Sequence, residues 1–169
     1  MKRLISFTIT LFLPFLLFGC DKLSVNDEKS VVFYYIHNEI EYGSSSGVIT
    51  SNVVNVDTDS DNYEALLELY FNGPTNYECI SPFAAGTTMV EFGIDGTKAQ
   101  ILLSPHMATL RDSTMTVALA CLTRTIVELT GAITVQVRIQ NNKIFGEDSI
   151  TLSLKNFNYF DDISPNESR

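Results

Sequence analysis

Apolar positions recur along this chain with two different periods, and the switches between them mark out its elements. Ser30 to Asn38, SVVFYYIHN, is rich in β-branched and aromatic residues, which predicts a strand buried on both faces. The following EIEYGSSSG reads as a surface loop, and Val48 to Val56 alternates loosely as a second strand, completing a hairpin. Then the period changes. Tyr63, Leu66, Leu67, Tyr70 and Phe71 fall at i, i+3, i+4, i+7 and i+8, on one face of a helix. Asp61 is placed to cap its first N–H groups, Glu64 to reach back, and Gly73-Pro74 to end it.

After a loop holding Cys79 and Pro82, Thr87 to Ile94 alternates with Thr88, Val90, Phe92 and Ile94 on one side. Asp95-Gly96 predicts a hairpin turn, because both central residues of that turn type need positive φ. Lys98 to Ser104 returns with Ala99, Ile101 and Leu103 on one face, and Pro105 to Leu110 is loop. A second helix, capped by Asp112 or Ser113, runs to about Leu129. Its stripe is Met115, Leu119, Leu122, Ile126 and Leu129, widened by Ala118 and Val127, and Gly131 stops it. Ile133 to Ile139 alternates again, Asn141-Asn142 turns, and Ile150 to Leu154 offers a short last strand. The order β-β-α-β-β-α-β predicts an α+β fold: a mixed sheet with both helices on one face.

The first residues follow another rule. Met1-Lys2-Arg3 precedes an apolar run from Leu4 to Phe18 that is too short to span a bilayer and contains Pro14, which together predict a secretory signal. Leu17-Phe18-Gly19-Cys20 resembles the bacterial lipoprotein cleavage box, although Phe18 is bulkier than usual there. That resemblance implies cleavage before Cys20 and acylation of its sulfur, with two or three chains giving a stable anchor. The organisation expected is signal peptide 1–19, tether 20–29, one folded domain 30–160 and a disordered acidic tail 161–169.

Charge narrows the function. Removing residues 1–19 removes Lys2 and Arg3, leaving 9 Lys+Arg against 20 Asp+Glu, or −11. A surface this acidic argues against nucleic acid and against a polybasic grip on lipid. Membrane contact is therefore expected through the lipid on Cys20, at the extracytoplasmic face of the cell membrane.

Catalytic chemistry finds few residues. His37 ends a strand and His106 lies in a loop, no Gly-x-Ser-x-Gly elbow is present, and no Cys or His pair has zinc spacing. No catalytic residue, cofactor or metal is expected. Asp57, Asp59, Asp61 and Glu68 imitate part of a calcium loop, but Asn62 stands where that loop needs Gly. Cys79 and Cys121 are expected unpaired, since Cys121 lies one position from the apolar stripe; the alternative is a bridge between them. Phe157, Tyr159 and Phe160, before Asp161-Asp162, are the candidate exposed anchor for a partner.

The segment YEALLELYFNGPTNYECISPFAAGT resembles the core of the GerM domain family, through Ala65, Leu66, Leu67, Gly73, Pro74, Pro82, Gly86 and Thr87. Leu103-Ser104 resembles the end of that family's hairpin, and Leu122, Ile126, Val127, Leu129, Thr130, Val135 and Val137 its second helix and closing strand. The resemblance covers about residues 31 to 157, as a single copy of the domain. It implies a non-catalytic, surface-anchored module similar in fold to ring-building domains of envelope machines, in a family linked to sporulation, germination and envelope assembly. The function expected is binding or assembly with another envelope protein or with further copies of itself. The alternatives are an envelope enzyme accessory or a carrier of a small cell-wall ligand.

Overall fold

A computed structural model of the chain describes residues 29–38, 47–56 and 62–157. The first strands, β1 (Lys29–His37) and β2 (Ile49–Val56), pair antiparallel from Lys29 with Val56 to Ile36 with Ile49. Helix α1 (Tyr63–Phe71) follows, and β3 (Cys79–Ile80) adds two residues to the far end of β1. Next come the hairpin β4 (Met89–Asp95) and β5 (Lys98–Leu103), a short 3₁₀ helix over Pro105–Thr109, and α2 (Asp112–Thr130). The strands β6 (Thr134–Ile139) and β7 (Ile150–Leu152) end the sheet, before a 3₁₀ turn over Leu154–Asn156.

The α+β class holds, and the element order holds apart from β3, which forms at Cys79–Ile80 where a loop is expected, but the strands divide into two sheets, β2-β1-β3 and β4-β5-β6-β7. The second sheet is mixed: β5 and β6 run parallel, and α2 is the crossover that such a pairing requires. The division explains the burial of α2. The expected stripe is buried from Met115 to Ile126, with Val127 and Leu129 half-buried at its end, and Ala120, Cys121, Thr123 and Thr125 on other sides are buried too, because α2 packs against β1 as well as β6.

The core gathers Phe33 and Tyr35 of β1, Leu66, Leu67 and Tyr70 of α1, and the inward rows Ala99, Ile101, Leu103 and Val135, Val137, Ile139. Phe33, Tyr35, Tyr70, Phe71 and Phe83 form one ring cluster, with neighbouring centroids 4.7–6.4 Å apart. Contrary to expectation, β1 is not buried on both faces: Val31, Phe33 and Tyr35 are buried, whereas Val32, Tyr34 and Ile36 are half-buried on the other side.

Several local expectations shift by a residue. Asn62, not Asp61, caps α1, its side-chain oxygen accepting from the Ala65 N–H at 3.2 Å. No side chain caps α2; Asp112 is its first helical residue. Gly131 closes α2 in the left-handed conformation at φ +69°, as its position after the last apolar residue indicates. The β4–β5 turn is centred on Gly96-Thr97, with Asp95 and Lys98 as the closing pair; only Gly96 has positive φ, the II′ pattern rather than I′.

Candidate interaction surface

Strand β4 is an edge of its sheet, and all but two of its residues are exposed. Its alternation is broken by a bulge between Met89 and Glu91. The extra residue changes the phase, so Met89 and Phe92 pack on the core while Thr88 and Val90 turn outward. Ile94 shares the inward side yet is 42% exposed. In an antiparallel pair alternate residues direct their backbone groups away from the partner; counted from the closing pair Asp95–Lys98, these are Ile94 and Phe92. Those groups form the open edge.

The other face of this sheet is solvated. Glu91, Leu102 and Arg138 lie in one cross-strand row, and the Arg138 guanidinium reaches Glu91 at 3.8 Å. At the start of β4, Gly86, Thr87, Thr88 and Met89 face Glu68, Phe71 and Asn72 of α1 and its end across an open cleft of about 480 Å³. Thr87 is 5% exposed and its hydroxyl has no hydrogen-bond partner. Both the bulge and this hydroxyl escape a reading by period, since period reports side-chain polarity and not pairing.

The approach to β4 is held by Ser104. Its hydroxyl accepts from the Thr88 N–H at 3.0 Å and donates to the Gly86 carbonyl at 3.4 Å, while its backbone N–H donates to the Thr88 carbonyl at 2.9 Å. Gly86 has φ +83°, and a Cβ there would stand 3.2 Å from the His106 ring. Ser104 is thus tied to the loop, and His106 packs on Gly86. His37 sits at the end of β1, in the other sheet, with its N–H on the Val48 carbonyl. These residues do not converge on one cleft.

The remaining site residues are placed as follows. Cys79 and Cys121 are free and buried. Burial raises both thiol pKa values, with Glu78 adding to the rise at Cys79 and Cys121 pushed up to about 12. Phe157 is half-buried against the core instead of standing exposed. Cys20, Asp57, Asp59, Asp61, Tyr159 and Phe160 lie outside the described residues, as do the signal and tail segments. Glu68 is an exposed residue in the middle of α1. Among the described residues no group of three His, Cys, Asp or Glu side chains is arranged to hold a metal, and no helix is long and apolar enough to cross a membrane.

One exposed aromatic is held in a demanding conformation. Ile144 and Glu147 exchange backbone hydrogen bonds of 2.8 and 2.9 Å around Phe145-Gly146, with φ of +50° and +89°. Phe145 is 53% exposed at the tip of this turn, where Asn or Gly is the usual occupant.

Comparison with known proteins places this arrangement. Residues 32–145 match the model of the Germane family, described as sporulation and spore germination. The first GerMN domain of the sporulation protein GerM from Bacillus subtilis is similar at TM-score 0.56 and 16% identity, over 75% of this chain and 98% of that one. The tandem GerMN domains of the same protein match at TM-score 0.54 and 15% identity, over 76% of this chain and 48% of that one. No curated protein sequence matches.

Proposed function

The chain belongs to the Germane family of sporulation and spore germination, and on that premise we propose that it is a lipid-anchored, non-catalytic binding module of the bacterial cell envelope. It binds an envelope protein, or further copies of itself, through the open edge of β4. The observation that carries this reading is the exposed edge itself, where Ile94 and Phe92 direct unpaired backbone groups outward and a second chain can extend the sheet. The bulge at Val90 bends one end of the strand, so a complementary strand docks over the Glu91–Asp95 part. Phe145 is a second contact point, separate from β4 in sequence.

Anchoring rests on Cys20 and its preceding box, and replacing Cys20 with Ala is the test of it: the protein should leave the membrane fraction still folded. Edge binding is tested by a photo-crosslinking residue at Ile94 in intact cells. A discrete adduct is expected there and none from Lys155, an exposed residue at the other end of the chain. Absence of an adduct from Ile94, or equal adducts from both positions, counts against the reading.

The orphaned Thr87 hydroxyl in its cleft favours a second reading, a carrier of a small ligand such as a cell-wall fragment. Under that reading muropeptides raise the melting temperature of the wild type and not of Thr87→Val; an unchanged melting temperature removes it.

A further inference from the structure

The outer face of the β2-β1-β3 sheet is largely apolar, with Ser30, Ser51 and Asn55 as its polar positions, and Arg124 of α2 reaches over it only at Tyr34 among the described contacts. Val32 pairs across with Val53, and Ile36 pairs with Ile49 on one side and Ile80 on the other. Val53 is 63% and Ile80 46% exposed. Tyr34 completes the row, with the Arg124 guanidinium 4.4 Å from its ring centroid. Exposed apolar side chains gathered on one sheet face mark a contact surface.

Two observations select the occupant. The first is charge. In a chain with 20 Asp and Glu, β1 and β2 contain none, and the nearest in sequence are Glu28, Glu39 and Asp57, beyond the strand ends. Where the bilayer carries anionic lipid, as in the vesicles below, repulsion turns an acidic body until its least acidic side faces the lipid. The second is reach. Lys29 is nine positions after Cys20, at most about 30 Å away when the chain is fully extended. A domain of this size has a radius of gyration of roughly 14 Å, so the tether is no longer than the domain is wide. It enters at the end of β1 where the Val32–Val53 pair begins.

We infer that the outer face of this sheet, centred on Val32 and Val53, seats on the bilayer that carries the lipid anchor. The domain is thereby oriented as well as tethered, leaving β4, in the other sheet, available to a partner. This inference rests on acylation of Cys20, and the test separates the two.

The chain has no tryptophan, so Val53→Trp is a unique emitter at an exposed position that tolerates it. The full lipidated protein is reconstituted into phosphatidylcholine–phosphatidylglycerol vesicles with brominated acyl chains. Val53→Trp emission is expected to fall about twofold and shift to the blue, while Phe145→Trp, in the other sheet region, keeps its intensity. Protein that floats with the vesicles while the Val53→Trp emission stays unquenched overturns the seating and leaves the anchor intact. Protein that does not float refutes the anchor, and the seating falls with it. Blue-shifted emission already present in lipid-free detergent, with a doubled mass by light scattering, assigns the face to a second copy and also overturns the proposal.

Discussion

Tyr35 and Tyr70 hold each other's backbone surroundings: the Tyr35 hydroxyl donates to the Tyr70 carbonyl at 3.0 Å, and the Tyr70 hydroxyl donates to the carbonyl of Tyr34 at 2.8 Å. Their rings lie 5.0 Å apart. The Tyr34 N–H, in turn, donates to the Thr125 hydroxyl of α2 at 2.9 Å. Beyond the two residues paired with β3, the edge of β1 is therefore closed at Tyr34 by one side chain from each helix. Buried backbone groups must be paired, and here hydroxyls take the place of a neighbouring strand.

Tyr70→Phe leaves the Tyr34 carbonyl without its donor and should cost about 1–3 kcal/mol. Tyr35→Phe should cost less, about 0.5–1.5 kcal/mol, because the Tyr70 carbonyl also accepts from the Gly73 N–H at 3.1 Å. Urea denaturation of the two variants gives the order. Equal losses would mean that the Tyr34 carbonyl finds water.

Thr125→Val keeps the shape and removes the acceptor for the Tyr34 N–H, so a loss of about 1–3 kcal/mol is expected, with Thr125→Ser restoring most of it. Hydrogen exchange at the Tyr34 amide should accelerate in the Val variant alone.

Phe145 at φ +50° is paired with no gain in burial that would offset the conformation. Phe145→Asn should raise stability by roughly 0.5–1 kcal/mol, since Asn tolerates the left-handed region. If Phe145 is a contact point, the same variant weakens partner crosslinking. A variant that is less stable in thermal melts contradicts the argument from φ.

Gly86→Ala meets both a positive φ and the His106 ring, and should destabilise by about 1–2 kcal/mol. Adding His106→Ala relieves only the steric part, so the double variant should recover part of the loss. Full recovery would show that the backbone conformation costs nothing.

The Cys121 pKa, raised from 9.0 to about 12 by burial, gives stability a pH dependence with a definite sign. The folded state favours the neutral thiol, so this contribution is complete below about pH 9. Above it the unfolded chain ionises first, and stability should fall by about 1.4 kcal/mol per pH unit until pH approaches 12. In Cys121→Ala that part of the slope should vanish, as guanidinium titrations at pH 8, 9.5 and 10.5 would show. Iodoacetamide should leave Cys121 unmodified at pH 8 in the folded protein.

Much of this fold is legible in the sequence where burial and period coincide. Ala99, Ile101 and Leu103, and Val135, Val137 and Ile139, alternate because one face of their sheet is core and the other is wet. Gly131 ends α2 where the apolar stripe stops. What escaped depends on long-range pairing. The Tyr34–Thr125 bond joins residues 91 apart in sequence, and without it nothing shows that a helix side chain, rather than a longer β3, meets the second side of β1 at Tyr34. Likewise, Val90 satisfies the alternation by polarity, and only the register of β4 on β5 reveals it as the bulge. The family resemblance has a physical basis of the same kind: Gly86 and Ser104, quoted from separate motifs, meet in one hydrogen-bonded loop.

The most direct test of the account asks whether the open edge of β4 makes the contact. Ile94→Pro removes an outward N–H without touching the bonds to β5, and crosslinking from Glu91, an exposed residue within the docked stretch, is followed in living cells carrying it. The account predicts that the adduct disappears while the purified variant keeps its thermal melt within a few degrees. An undiminished adduct in a folded Ile94→Pro protein would contradict it.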